Sequence, residues 1–237
     1  MNTAMDAAPD ATLDAAMAGE RDALRARLEQ ICRGPQAQPG AARALATGHA
    51  ALDALLPGGG WPLGAVTELY PQAQGIGELM LVLPALARLT QSGRHVACIA
   101  PPHLPYAPAL ASHGLVLARV LHVQAQGARE SLWATEQALR CQAVAAVLAW
   151  PSGLDDRAVR RLQLAAEAGG SCALLYRPVA ELARPSPAAL RLRLRPSCAD
   201  EGPGKGNGES GLHLELLKVR GGHRHALVVH PAAAAAA

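Results

Sequence analysis

The chain has 237 residues, of which 50% are hydrophobic and 17% are charged, and its formal net charge is +3 at pH 7. These values exclude a chain that is disordered throughout, and the length fits one well-buried domain better than two large ones. So small a net charge does not by itself indicate a nucleic-acid-binding protein.

The N-terminal part of the chain divides into two segments. Residues 1–20 are rich in alanine, carry four acidic residues and neither lysine nor arginine, and are expected to form an unstructured lead-in. From residue 21 onward, Leu24, Leu28 and Ile31 recur at spacings of four and three, which predicts a short helix with one apolar stripe. The helix and its linker occupy residues 21–41. The stripe must be buried either on the chain's own core or on a neighbouring molecule.

Short apolar strands then alternate with helices through a core domain that we place at residues 42–225. Strands are predicted at residues 65–70, 96–100, 120–123, 143–150 and 172–176, and helices at residues 78–88, 106–113, 128–140 and 155–168. Short, continuously apolar strands between helices are typical of a parallel sheet that is covered on both faces. The fold class is therefore α/β, with a doubly wound, mostly parallel sheet.

The C-terminal part of the core domain has a different pattern. Residues 190–195 alternate leucine with arginine, which predicts a half-buried strand with one leucine face and one arginine face. A flexible Gly/Ser/Pro-rich loop at residues 196–211 leads to a partner strand at residues 212–220, so we expect an antiparallel extension of the sheet. Residues 226–237 are assigned to a C-terminal tail.

A cluster of basic residues on this extension is a candidate contact for a DNA backbone or for a protein partner. Its members are Arg184, Arg191, Arg193, Arg195, Lys218 and Arg220. Phosphate contacts require only clustered cations, so weak DNA binding is one interpretation. The alternative is a solvated strand face, because charged side chains at sheet edges commonly prevent aggregation. No aromatic residues are interleaved for base stacking.

The loop after the first predicted strand lies where an α/β sheet commonly binds phosphate. This degenerate P-loop position contains Pro71, Gln74, Gly75, Ile76, Gly77 and Glu78. A working P-loop ends in a lysine that contacts the phosphates and a hydroxyl that binds magnesium, and this loop supplies neither. The carboxylate of Glu78 would instead repel a phosphate.

Two other parts of a phosphoryl-transfer site are missing from the sequence. Trp150 follows the strand whose end should carry a magnesium-binding acid, and Asp155 comes only after a turn. Pro101 and Pro102 follow the strand at residues 96–100, so no carboxylate is available there to position a water. We therefore expect no catalytic residue, no cofactor and no enzymatic activity.

Cysteine and histidine spacing indicates neither a disulfide framework nor a metal centre. The five cysteines are far apart and form no C-x-x-C pair, so we expect reduced thiols. His223 and His225 are the closest histidine pair, and no nearby cysteine or acid completes a metal shell. The longest apolar stretch, residues 79–87, is too short to span a membrane, and the N-terminus lacks the pattern of a signal peptide. We expect a cytoplasmic protein without membrane contact.

Several motifs in residues 45–225 resemble a known family. Residues 45–70 resemble the segment that leads into the P-loop of RecA recombinases, and residues 58–177 are similar to ImuA, the RecA-like protein of bacterial mutasome operons. The most specific motif is Pro101-Pro102-His103-Leu104-Pro105-Tyr106-Ala107-Pro108. Three others are Gln74-Gly75-Ile76-Gly77-Glu78-Leu79, Leu83-Pro84-Ala85-Leu86 and Arg160-Arg161-Leu162-Gln163-Leu164-Ala165-Ala166-Glu167.

The resemblance implies a non-catalytic RecA-like adaptor, made in the SOS response, that supports error-prone translesion DNA synthesis. The implied partners are RecA, the inactive Y-family polymerase homologue ImuB and, indirectly, an error-prone replicative-type DNA polymerase. In RecA-like proteins the N-terminal helix docks on an adjacent subunit, so Leu24, Leu28 and Ile31 are candidates for binding RecA or for homo-oligomer formation. Two alternatives stay open: a residual RecA-like NTPase, and a cell-division inhibitor of the SulA type.

Overall fold

The computed structural model describes residues 9–33, 44–197, 211–219 and 225–230. The helices are α1 (Pro9–Arg33), α2 (Ala50–Asp53), α3 (Leu83–Gln91), α4 (Ala107–Ser112), α5 (Gly127–Arg140) and α6 (Asp156–Gly169), with 3₁₀ turns at Leu117–Arg119 and Val179–Glu181. The strands are β1 (Ala44–Leu45), β2 (Trp61–Pro62), β3 (Ala65–Pro71), β4 (His95–Ile99), β5 (Val120–Val123), β6 (Val144–Ala149), β7 (Cys172–Tyr176), β8 (Leu190–Ser197), β9 (Gly211–Val219) and β10 (His225–Val229).

An eight-stranded sheet runs through the centre of the protein, in the order β10-β9-β8-β3-β7-β6-β4-β5. The strands from β8 to β5 are paired in parallel, whereas β9 pairs antiparallel with both β8 and β10. A separate two-stranded sheet pairs β1 with β2. The predicted α/β class, with a mostly parallel sheet and an antiparallel C-terminal extension, is confirmed.

Each face of the sheet carries its own hydrophobic cluster. Successive side chains of a strand point to opposite faces, so on β7 Leu174 joins the first cluster and Leu175 joins the second. The first cluster includes residues of α3, and the second includes residues of α1, α5 and α6. Within the described residues, no helix combines the length and the apolar character that a membrane span requires.

The N-terminal helix is longer than predicted and packs on the protein itself. Helix α1 begins at Pro9, so the expectation of an unstructured lead-in is wrong for residues 9–20, while residues 1–8 lie outside the described residues. Alanine is the best helix former, and its abundance there outweighs the polar composition. Leu24 and Leu28 are only 8% and 7% exposed and belong to the second cluster, against which Ile31 also packs. The apolar stripe is therefore buried on the chain's own core.

The end of α1 meets the end of α5 through two cysteines. The sulfur atoms of Cys32 and Cys141 lie side by side there, with the two Cα atoms 6.9 Å apart, and the expectation that the thiols are reduced stays a prediction. The two residues are 109 positions apart, so only the packing of α1 beside α5 brings them together. Cys98 and Cys172 are free and buried in the core, and Cys198 lies outside the described residues.

The C-terminal extension has one strand more than predicted. Strand β10 begins at His225, so residues 226–229 belong to the sheet and not to a tail. Strand β8 continues to Ser197 and β9 begins at Gly211, so both ends of the predicted loop are paired in the ladder. The rest of that loop, residues 198–210, lies outside the described residues. Strand β10 has only five residues, and its apolar and polar residues do not alternate clearly. The sequence pattern alone therefore did not distinguish a strand from a tail.

Candidate functional site

The loop at the predicted P-loop position connects β3 to α3 at the carboxyl edge of the parallel strands. Strand β3 ends at Pro71 and α3 begins at Leu83, so the loop is longer than predicted. The predicted helix start at Glu78 is wrong because Pro84 lies in the first turn of α3. A proline is tolerated in a first turn, where its missing N–H has no partner to lose, but deeper in a helix it would break the hydrogen-bond ladder.

A carboxylate of the loop binds the loop's own backbone. Gly75 and Gly77 have φ values of 77° and 94°, in the left-handed region that glycine adopts readily. Oε1 of Glu78 accepts a hydrogen bond of 3.0 Å from the N–H of Gly75. In a P-loop, the backbone N–H groups of this turn bind phosphate oxygens. Here an internal carboxylate occupies one of those donors.

This loop forms one wall of a cleft of about 470 Å³. Pro71, Gln74 and Glu78 line the cleft, whereas Ile76 packs against the first hydrophobic cluster. The other walls come from the last residue of β7 and from the segments that follow β4, β6 and β7, at the same edge of the sheet: Ala100, Pro102, Trp150, Pro151, Ser152, Tyr176, Arg177, Pro178 and Val179. The cleft therefore lies at the position that the sequence predicted for a ligand site.

Two aromatic rings that line the cleft, those of Trp150 and Tyr176, stack on each other. The ring centroids of Trp150 and Tyr176 lie 4.7 Å apart, with 7° between the ring planes. The hydroxyl of Tyr176 donates to the backbone carbonyl oxygen of Glu78 at 3.3 Å. Burial raises the pKa of Tyr176 well above its ordinary value, and the negative charge of Glu78 raises it further. The phenol therefore stays protonated and remains a hydrogen-bond donor to the loop.

The acids that a magnesium site would need lie elsewhere. Among the described residues that line the cleft, Glu78 is the only carboxylate. Asp155 serves as the N-cap of α6, where its Oδ1 accepts a hydrogen bond of 2.7 Å from the N–H of Ala158. Ala100, directly after β4, has a φ of 48°, an unusual conformation for a residue other than glycine. It leads into Pro101 and Pro102, which supply no acid.

The cation at the cleft is neutralised by buried carboxylates. Arg177 is 3% exposed, and its guanidinium donates to Glu68, to Glu181 and to the backbone carbonyl of Leu154. Burial alone would lower the pKa of Arg177, but the charge of Glu68 and the hydrogen bonds to both carboxylates outweigh it and raise the pKa. Arg177 is thus held in place as part of a buried ionic network.

One arginine of the predicted basic face belongs to the same network. Nε of Arg191 donates to Oε2 of Glu68 at 2.9 Å, and its Nη2 donates to the hydroxyl of Tyr70 at 2.8 Å and to the carbonyl of Leu182 at 2.9 Å. Burial raises the pKa of Tyr70 to about 12. Nε and Nη2 of Arg191 are thus bonded inside the protein, which disfavours its interpretation as a DNA or partner contact, although that interpretation stays a prediction.

Two other arginines of that face lie opposite polar residues of the neighbouring strand. In the β8–β9 ladder, Arg193 is the partner of Glu215, and Arg195 is the partner of His213. Both arginine side chains are half-buried. Each arginine therefore lies beside a polar residue of the adjacent strand.

The remaining predicted cations differ in their surroundings. Nζ of Lys218 donates to the backbone carbonyl of Ser186 at 2.8 Å. Arg184 is exposed in the segment between β7 and β8. Arg220 lies outside the described residues. In the β8–β9 ladder Lys218 is the partner of Arg191, so the structure brings these two cations together, and the interpretation of the basic face as a DNA or partner contact stays a prediction.

The sequence analysis did not single out Glu68, Tyr176 or Arg177, although a signal was present for two of them. Glu68 is a charged residue within the buried strand β3, and Arg177 directly follows the buried strand β7. A charge that is buried in a sheet requires a partner of opposite charge, so the two residues were candidates for an ion pair. Nothing in the sequence indicated that Tyr176 would stack on Trp150.

Sequence comparison identifies the family of the chain. Over 193 residues, the chain is 33% identical to Protein ImuA of Caulobacter vibrioides (strain NA1000 / CB15N), a match that covers 75% of this chain and 79% of that protein. The chain belongs to the ImuA family. Protein ImuA of Caulobacter vibrioides strain ATCC 19089 matches equally, with the same identity and coverage.

Part of this ImuA-family chain is also similar to SulA. The family model described as "Cell division inhibitor SulA" matches residues 64–173, a region that begins just before β3 and ends within β7. The chain is 34% identical over 115 residues to the cell division inhibitor SulA of Edwardsiella piscicida, which covers 48% of this chain and 68% of that protein. The crystal structure of SulA from Pseudomonas aeruginosa matches with 29% identity and a TM-score of 0.41, and covers 47% of this chain and 97% of that one.

Proposed function

We propose that this protein is a non-catalytic, RecA-like adaptor of the SOS-induced mutasome that supports error-prone translesion DNA synthesis by binding RecA and ImuB in the cytoplasm. Membership of the ImuA family and the similarity to SulA support a role in the response to DNA damage. The mostly parallel sheet, packed on both faces, and the loop at the carboxyl edge of β3 support descent from a RecA-like nucleotide-binding fold. The error-prone polymerase would be engaged indirectly, through ImuB.

The observation that carries the non-catalytic part is the hydrogen bond from the N–H of Gly75 to the carboxylate of Glu78. A phosphate approaching this loop would meet a negative charge that already uses one of the donors it needs. The lining also lacks a lysine and a second carboxylate among the described residues. These features favour a protein that keeps the cleft at the carboxyl edge of the sheet but can no longer bind or hydrolyse a nucleotide there.

The decisive experiment is the single-strand-dependent ATP hydrolysis of RecA, measured with and without the protein, beside the protein alone. We expect no turnover by the protein alone and a dose-dependent change in the rate of RecA. Turnover by the protein itself would support the residual NTPase instead. If the rate of RecA does not change, ImuB becomes the only partner in the proposal. A direct binding measurement with purified ImuB would then test that partner.

A second experiment examines the loop itself. Calorimetric titration with ATP should give no binding for the natural sequence. A Glu78→Lys variant removes the internal anion and adds a cation, so it should bind ATP more strongly than the natural sequence does. Equal ATP affinity for both proteins would show that the carboxylate of Glu78 is not what prevents ATP from binding.

The similarity to SulA over residues 64–173 supports a second candidate function, a cell-division inhibitor. A SulA-type inhibitor would reduce the polymerisation and the GTPase activity of the division protein FtsZ. We expect neither effect, because the match to ImuA covers more of the chain, 75% against 48%. Stoichiometric inhibition of FtsZ without any effect on RecA would favour the inhibitor.

A further inference from the structure

The cleft of about 470 Å³ at the carboxyl edge of the sheet contains a carboxylate but, among its described lining residues, no cation that is free of a carboxylate partner. Arg177 is its only cation among the described lining residues, and that guanidinium is bound to the carboxylates of Glu68 and Glu181. Glu78 keeps a carboxylate in the cleft, where it is bound through Oε1 to a backbone N–H and, among the described residues, has no cation as an ion-pair partner. The neutral groups beside it, including the Trp150 ring and the side chains of Gln72 and Ser152, are compatible with a cationic ligand.

A second cleft, of about 410 Å³, continues the first one along the same edge of the sheet. Ala100 and Pro102 line both clefts, and Leu104 lines the second. Leu104 and Tyr106 are 75% and 72% exposed, the largest fractions among the exposed large hydrophobic residues. Prolines before and between these two side chains restrict the backbone, so little conformational entropy is lost when a partner covers them.

We propose that this edge binds an extended segment of a protein partner, with an arginine or lysine side chain in the cleft between Glu78 and Trp150 and an apolar side chain against Leu104 and Tyr106. The inference deepens the proposed adaptor function, on which it rests, by assigning the partner site to the former nucleotide edge. It replaces the apolar stripe of α1 as the docking surface, because Leu24 and Leu28 are buried.

Charge decides between the ligand classes. A phosphate or a carboxylate would be repelled by Glu78, whereas a guanidinium or ammonium group would gain a charge-assisted hydrogen bond to its carboxylate. An aromatic ring adds a favourable surface for a cation. The exposed pair Leu104 and Tyr106 favours a polypeptide over a small cation, because a free amine would leave that apolar surface uncovered.

The experiment uses the full chain, labelled with ¹⁵N, and three synthetic probes. The first probe is acetyl-Leu-Leu-Gly-Arg-Gly-amide, the second has glutamate in place of arginine, and the third is acetylarginine amide. The chain has three tryptophans, and a Trp150→Phe variant assigns the indole N–H signal of Trp150. We expect both arginine probes to shift the signals of Trp150 and Gly75, and the glutamate probe to shift neither.

Two variants separate the parts of the site. Glu78→Gln keeps the acceptor for the N–H of Gly75 and removes only the charge, so it should weaken both arginine probes by about tenfold. Leu104→Ser with Tyr106→Ser should weaken only the arginine probe that contains leucine, again by about tenfold. Both changes lie at the surface or conserve shape, and an unchanged melting temperature verifies that each variant is folded.

Binding of the glutamate probe as tight as that of the arginine probe would overturn the inference, and so would arginine binding that Glu78→Gln leaves unchanged. The RecA assay keeps this outcome separate from the fate of the adaptor function. A failed titration beside a clear effect on RecA would reject the site and retain the adaptor. ATP turnover by the protein alone would reject the adaptor whatever the probes do.

Discussion

Nε of Arg191 donates a hydrogen bond of 2.9 Å to Oε2 of Glu68 and so joins β8 to β3 across 123 positions of the sequence. Arg177 binds the other oxygen of the same carboxylate. Glu68 is fully buried, and the two arginines are 3% and 12% exposed at their side chains. The start of the antiparallel extension is therefore attached to the parallel sheet by buried charges as well as by backbone hydrogen bonds.

Replacing Glu68 with glutamine should lower the free energy of unfolding by about 3–5 kcal/mol, because it removes the buried carboxylate that Arg177 and Arg191 share and leaves only Arg177 with another, that of Glu181. Urea denaturation measures the loss. Glu136→Gln is the matched control, since Glu136 pairs with Arg140 and Arg161, whose side chains are 56% and 52% exposed. Glu136 is only 10% exposed, but solvent screens its two arginine partners, so this control should cost less than Glu68→Gln, about 1 kcal/mol. Similar losses for the two variants would contradict a structural role for the buried network.

The buried position of the α1 stripe leads to a second prediction. Leu24→Ala and Leu28→Ala should each lower the free energy of unfolding by about 2 kcal/mol, because each removes apolar contacts with the second cluster. Gln30→Ala on the exposed side of the same helix should have almost no effect. If the leucine variants keep full stability in urea but lose binding to RecA, the helix docks on a partner after all.

Two helical glycines should respond to the same substitution in opposite directions. A Cβ at Gly169 would overlap the backbone carbonyl oxygen of Leu139, where the end of α6 passes the end of α5. Gly169→Ala should therefore cost about 1–3 kcal/mol. At Gly19 in α1 a Cβ meets no atom within 4 Å, so Gly19→Ala should stabilise the protein by up to about 1 kcal/mol. Thermal and urea unfolding of both variants check the two signs, and a stabilising effect at Gly169 would refute the close contact.

The sequence was sufficient where a single local pattern determines the structure. The continuous apolar runs at β4, β6 and β7 predicted buried parallel strands, and the leucine–arginine alternation predicted β8. The alternation did not reveal that Arg191 points at Glu68, because that contact depends on the parallel register of β3 and β8. In the same way, the spacing of Leu24 and Leu28 predicted a stripe but not the surface that buries it.

The candidate site was predictable in its position but not in its chemistry. The sequence showed that the loop lacks the lysine of a P-loop and that it ends in an acid, Glu78. The hydrogen bond between Glu78 and Gly75 and the stack of Trp150 on Tyr176 depend on loop geometry and on three different strands. Pro84 was the overlooked local signal, since it places the start of α3 five residues later than the apolar pattern did.

Four buried groups should make the protein lose stability in alkali. Burial raises the pKa values of Cys98, Cys172 and Tyr70 to about 12, and burial followed by the charge of Glu78 raises the pKa of Tyr176 well above its ordinary value. The unfolded chain releases these protons near pH 9 and 10, while the folded protein retains them. The stabilising contribution is therefore complete below about pH 8 and is lost as the pH rises toward the folded pKa values, by about 1.4 kcal/mol per pH unit for each group that titrates only in the unfolded chain.

Urea denaturation between pH 7.5 and 10.5 measures this loss, and a variant isolates the thiols. Cys98→Ala with Cys172→Ala should be less stable than the natural sequence at pH 7.5, because both side chains are buried in the core. Its stability should nevertheless decline less steeply between pH 8.5 and 9.5. In that range the two thiols are the first groups to lose protons in the unfolded chain while keeping them in the folded protein, and the variant lacks both thiols. An equally steep decline in both proteins would show that the thiols ionise alike in the folded and the unfolded chain, and that the core does not hold them protonated.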